Sequence, residues 1–287
     1  MKKTNYSDLL YIILVVLAIT AIIGVLSIFF VPRENPEEVL DGIVGDITNN
    51  ETEEETDEDS TEEETEENED NTEITVSDVD FSELNYVAFG DSITYGVDGQ
   101  TKKRMNSPYP TLVGNTLGLR NVLNYAVSGS TITSIEGLTN VNSQYSKSTS
   151  KADIVSVMIG VNDYARSAEL GTITDTGLST VYGGLNTLVK GLKEKYPDAY
   201  IFFMTPMPCY REEITSNATG VELVEVVSAI KEVCQKNNIP VLDLYTVGGY
   251  TMEADPYSDG IHPTQNFFVK YTAPIIAEFI KENYKGN

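Results

Sequence analysis

From Phe81 to Asn287 the sequence predicts one α/β domain, its largely parallel sheet covered by helices on both faces. Three observations predict it. Short apolar runs alternate with longer helical patterns over these 207 residues, an ordinary size for one domain. Two stretches, Leu178-Val181-Leu185-Leu188-Val189-Leu192 and Val221-Val224-Val227-Ile230-Val233, repeat their apolar residues at the helical period. Finally, Ser92, Ser128-Gly129 and Asn162 lie just beyond the first three apolar runs, where α/β sheets bind ligands.

In chain order, the strand candidates are Tyr86–Phe89, Val122–Ala126, Ile154–Ile159, Ala199–Met204 and Val241–Leu244. Helix candidates fall at Pro110–Leu117, Asp175–Lys195, Val221–Lys236 and Asn266–Lys281, and the middle two carry the repeats just quoted. Between them lie polar loops at Tyr95–Tyr109, Tyr164–Thr176 and Cys209–Thr219, expected to overlie Ser92.

The only histidine, His262, stands in Asp259-Gly260-Ile261-His262-Pro263. A general base working near neutral pH is most often histidine, so the usual form of that chemistry has one place to happen. Asp259, three residues earlier, can hold the other ring nitrogen. Ser92, in Phe89-Gly90-Asp91-Ser92-Ile93-Thr94, follows the first strand candidate. Acyl transfer from an ester needs a nucleophile, a base, an orienter for the base and donors for the oxyanion. Ser92, His262 and Asp259 are the candidates for the first three roles. The Ser92 and Gly129 backbone N–H groups and the Asn162 side-chain amide are the candidate oxyanion donors. Asp91 and Asp163 read as braces for their loops.

With these residues in this order, the sequence resembles the SGNH, or GDSL-type, hydrolase superfamily. Gly90-Asp91-Ser92-Ile93 matches the nucleophile block, Gly129 the second, Gly160-Val161-Asn162-Asp163 the third and Asp259-Gly260-Ile261-His262 the last. The second block rests on one glycine, and Ala126 stands where many members carry another. The resemblance spans residues 84–283. It implies a three-layer α/β/α sandwich of flavodoxin-like type with five mostly parallel strands, and a serine esterase that uses no metal or other cofactor. The G-x-S-x-G elbow of α/β-hydrolases is absent around Ser92, which speaks against that rival fold.

The net charge of −25 is concentrated in one segment. Glu34 to Asp80 holds 22 Asp and Glu and no Lys or Arg, whereas the domain from Phe81 onward is only −5. Neither part carries the basic stripe of a nucleic-acid binder. Residues 32–80 read as a disordered acidic linker, because Glu51–Glu73 contains 15 acidic residues and no apolar side chain. The run lacks the glycine and ligand spacing of a calcium loop.

Leu9–Val31 is an uncharged apolar run of 23 residues. At helical rise it spans roughly 35 Å, enough to cross a membrane, and it is longer than a signal-peptide core. It reads as an uncleaved anchor; no cysteine follows it for lipid attachment. Lys2 and Lys3 before it put residues 1–8 in the cytoplasm and the rest outside the cell. An oxidising exterior permits a Cys209–Cys234 disulfide, and two buried thiols fit the sequence equally. One histidine and two cysteines leave too few ligands for a zinc site.

Tyr95, Tyr109, Tyr164, Tyr210 and Tyr257 fall in or near the expected loops, and no long apolar run does. This pattern suits an acylated carbohydrate, as does the resemblance to exported bacterial members of the family. The expectation is therefore a membrane-tethered esterase removing short acyl groups, such as acetyl, from glycans. A lysophospholipase or thioesterase, or a non-catalytic carbohydrate- or wall-binding module on the same fold, are the alternatives.

Overall fold

The computed structural model describes residues 79–210 and 218–286. The expected cytoplasmic segment 1–8, anchor 9–31 and nearly all of the linker 32–80 lie outside the described residues. Among the described residues, no helix is long and apolar enough to cross a membrane.

Five strands form the sheet: β1 (Asn85–Gly90), β2 (Asn121–Asn124), β3 (Ile154–Met158), β4 (Tyr200–Met204) and β5 (Val241–Leu242). All neighbours pair in parallel, in the order β2-β1-β3-β4-β5. The helices are α1 (Ser92–Tyr95), α2 (Tyr109–Leu117), α3 (Val141–Lys147), α4 (Val161–Ala165), α5 (Val181–Lys195), α6 (Leu223–Lys236), α7 (Leu244–Val247), α8 (Gln265–Phe267) and α9 (Ala273–Asn283).

Strand periodicity divides the apolar side chains between two cores. Tyr86, Ala88, Ile154, Met158, Phe202 and Met204 face one side and pack with Val113 and Leu117 of α2 and Ile276 and Ile280 of α9. Val87, Phe89, Val155, Val157, Ile201 and Phe203 face the other, against Val141 of α3, Leu185, Leu188 and Leu192 of α5 and Val226, Ile230 and Val233 of α6. Because β1, β3 and β4 are buried on both faces, they read as continuous apolar runs. The result is a three-layer α/β/α arrangement.

Several boundaries depart from expectation, each for a local reason. The expected helix from Asp175 begins at Val181. Gly177 turns the chain at φ 84, and the Thr180 hydroxyl accepts the Gly183 N–H to cap the helix. The second strand ends at Asn124 because that side chain turns to the backbone, accepting the Ala126 N–H and donating to Thr94 O. The last strand stops after Leu242, since Asp243 pairs with Lys231 and Thr205 and starts α7. The C-terminal helix is broken by one π turn at Phe268–Thr272, ahead of Pro274, whose missing N–H removes one helical bond. No disulfide joins Cys209 and Cys234. The Cys234 thiol is buried on α6, and burial pushes its pKa up to about 12.

Candidate active site

The strand order reverses direction between β1 and β3, and ligands of open α/β sheets bind at such a switch point, outside the carboxyl ends of the strands. Four loops meet there.

The first leaves β1 at Gly90. A Cβ on Gly90 would fall 2.4 Å from the Met158 carbonyl oxygen, so only glycine lets β1 end this close to β3. Asp91 follows, and its Oδ1 accepts the Ile93 N–H at 2.9 Å, capping α1. Ser92 thereby becomes the first residue of the helix, where backbone N–H groups have no helical acceptor. Burial pushes the Asp91 carboxyl up to about 7, against the Ile93 hydrogen bond and the charge of His262, which lower it.

The second loop follows β2. Gly129 sits at φ 80 with open space on its Cβ side, a conformation in which glycine avoids strain. Gln144 of α3 holds this loop to the first: its amide accepts the Gly90 N–H, and it donates to Gly90 O at 2.8 Å and to Ser130 Oγ at 2.7 Å. Sequence reasoning missed this buried glutamine, because α3 is polar and carries no apolar repeat.

The third loop opens α4 after β3. Asn162 donates one amide hydrogen to Ser130 O at 2.9 Å, and its amide carries a second donor hydrogen. Asp163 is buried and accepts from Ile132 N, Thr133 N and Thr133 Oγ1 at 2.8–2.9 Å. Burial pushes its carboxyl up to about 6 against those three donors. Asp91 and Asp163 thus brace two loops, as the sequence suggested.

The fourth loop precedes α8. Asp259 Oδ1 accepts the backbone N–H groups of Ile261 (3.0 Å) and His262 (2.7 Å), while Oδ2 accepts His262 Nδ1–H at 2.9 Å. This assignment leaves Nε2 as the acceptor for the Ser92 hydroxyl, 2.8 Å away across 170 residues of sequence. Burial opposes ionisation of Asp259. The hydrogen bonds from the His262 ring and backbone, the imidazole's charge and Lys102 nonetheless hold its carboxyl well below the usual range. Asp255 anchors the same loop through Thr264 N (2.6 Å) and Oγ1 (2.8 Å).

The structure therefore joins Ser92, His262 and Asp259 in one hydrogen-bonded line, and ties Asn162 to the loop that carries Gly129. Among the described residues, no group of three or more His, Cys, Asp or Glu could hold a metal ion. One expectation is corrected: Tyr109 does not overlie the site. It is fully buried against Phe268, with its hydroxyl 3.1 Å from Thr94 Oγ1, because it begins α2 on the core side. Tyr257 and Tyr210 are exposed, at 69% and 41%.

A parallel sheet with a Ser–His–Asp line at its switch point is the arrangement of a serine hydrolase. A family model of GDSL-like lipases and acylhydrolases matches residues 88–266, and the chain belongs to that family. Solved structures agree on the fold. A protein from Lactobacillus plantarum is 25% identical with a TM-score of 0.61, the match covering 70% of this chain and 99% of that one. A possible lipase from Chitinophaga pinensis is 24% identical with a TM-score of 0.55, covering 70% and 98%. A carbohydrate acetylesterase family member from Sinorhizobium meliloti is 16% identical with a TM-score of 0.50, covering 69% and 99%. No curated protein matches the chain.

Proposed function

We propose that this enzyme hydrolyses short-chain acyl esters of carbohydrate outside the cell, through an acyl-serine intermediate on Ser92. One observation carries the catalytic part: the unbroken line from Ser92 Oγ through His262 to Asp259. As the Ser92 hydroxyl attacks the ester carbonyl, His262 Nε2 takes its proton, and Asp259 stabilises the imidazolium that forms. The tetrahedral oxyanion is met by the Ser92 N–H, the Gly129 N–H and the second amide hydrogen of Asn162. As the C–O bond to the sugar breaks, His262 gives the proton to the departing sugar oxygen, which leaves as a hydroxyl. A water activated by the same histidine releases the acid and restores Ser92. This assigns Ser92, His262 and Asp259 as catalytic, and Gly129 and Asn162 as oxyanion donors.

The short-acyl reading is supported by what surrounds the serine. Among the described residues, the loops meeting at Ser92 supply Ser128, Gly129, Asn162 and Ser258, and none of their leucines or phenylalanines is exposed. The exposed Tyr210 and Tyr257 near the acid–base loop offer flat faces to sugar rings. The extracellular, anchored location is supported by the apolar run 9–31 behind Lys2 and Lys3. Acetate release from acetylated polysaccharides tests the substrate class. Serine-dependent release is expected, and turnover confined to long-chain lipids would instead favour the lysophospholipase reading.

A further inference from the structure

Lys102 reaches the catalytic line from outside it. Its ammonium lies 3.0 Å from Asp259 Oδ2, the oxygen that also accepts the His262 Nδ1–H, and it donates to the Gly99 carbonyl as well. The lysine is held there by its own loop. Lys102 has φ 60, a left-handed conformation that residues other than glycine and asparagine seldom adopt. Such a backbone costs conformational energy and is held by its surroundings.

Those surroundings tie the Lys102 loop to the histidine loop. The Lys102 N–H donates to Asp98 O at 2.8 Å, and the Asp98 N–H donates to Lys103 O at 2.8 Å. The Asp98 carboxylate accepts the Gln100 and Thr101 N–H groups with Oδ1 and reaches across with Oδ2 to the Gln265 N–H at 2.8 Å. The Gly99 N–H donates to Pro263 O at 3.2 Å. A Cβ on Gly99 would fall 1.9 Å from the His262 carbonyl oxygen, so the two backbones touch.

We propose that Lys102 is a positioning residue for the acid–base pair: it pins Asp259 Oδ2 and offsets part of the negative charge that His262 faces. This rests on the reading of Ser92, His262 and Asp259 as the catalytic line. The other charged or titratable groups around the pair are Asp91, which interacts with His262 and Asp163, then Asp98 and Asp255 on the backbone of 264–265, and Tyr250, which interacts with Asp259 and Cys209. Among the described residues, Lys102 is the one cation within ion-pair distance of Asp259 or His262.

The sign follows from this arrangement. Removing the cation favours the imidazolium, so the base is lost at a higher pH and the acidic limb of the kcat/KM profile moves upward. Because Lys102 is more than half exposed, the shift is about 0.3–0.7 pH units at low salt and shrinks toward ~1 M salt.

The test uses the full chain and its Lys102→Met, Lys102→Gln, Lys102→Arg and Ser92→Ala variants on p-nitrophenyl acetate, with rates read at the isosbestic wavelength across the neutral range. Both charge-free variants are expected to raise the acidic limb, and Lys102→Arg to restore it. An unchanged limb in a folded charge-free variant, whatever its loss of rate, overturns the inference, as does an Arg variant that shifts like Met. Ser92→Ala separates the two layers: activity surviving in it overturns the catalytic reading itself.

Discussion

Asp259 and Asn162 face different charges, the imidazolium and the oxyanion, and their removal should cost different amounts. Asp259→Asn keeps the shape of the loop but loses the acceptor that fixes the imidazole tautomer, and is expected to lower kcat by roughly 10²–10⁴ with KM little changed. Asn162→Ala removes one oxyanion donor and is expected to cost roughly 10²–10³ in kcat. Asp91 offers a prediction of a different kind. Its carboxyl is pushed up to about 7 in the folded state, above the ordinary value of 3.8. A folded-state value raised in this way gives stability that is present below about pH 4 and is lost as pH rises through about 7. Asp91→Asn keeps the Ile93 cap and sheds this dependence. At pH 8 it should be more stable than the wild type by roughly 1–4 kcal/mol, seen as a higher melting temperature, and at pH 4 the two should converge. Parallel melting curves across that range would contradict the assignment.

The individual elements show why so much of the fold was legible in the sequence. Strands β1, β3 and β4 announced themselves as apolar runs because both their faces are covered, and α5 and α6 because one face of each is buried against the sheet. Helices α1, α4 and α7 are four or five residues long, too short for any repeat to register. They are set by caps and strand ends instead. The candidate site residues were legible because they lie just beyond apolar runs and include the only histidine. Gln144, Asp98 and Lys102 were not, because each acts on a backbone or carboxylate far away in sequence, and no spacing encodes that. Tyr109 misled for the converse reason: a residue in a polar-looking loop turned out to open a core helix. Gly160 joins element and site. It precedes α4 at φ 126, and a Cβ there would meet Val226 Cγ1 at 3.0 Å. Gly160→Ala is expected to destabilise by about 1–3 kcal/mol, seen as a lower urea midpoint with unchanged slope, and to reduce kcat as Asn162 moves.

At the scale of the whole molecule, the chain carries two chemistries in series. Residues 34–80 hold the acidic charge, and the domain beyond Phe81 holds the enzyme at a net charge of only −5. If the acidic run is a spacer, deleting residues 51–73 leaves turnover of soluble esters within about twofold, while a large loss would assign it a part in the site. If residues 9–31 anchor the chain with the domain outside, protease added to intact cells should release an active fragment. The measurement that bears most directly on the central claim is the rate on p-nitrophenyl esters from acetate to dodecanoate for the full chain beside Ser92→Ala. The account predicts turnover that vanishes with the serine and falls steeply beyond two to four carbons. Turnover that survives in Ser92→Ala, or that rises with chain length, would contradict it.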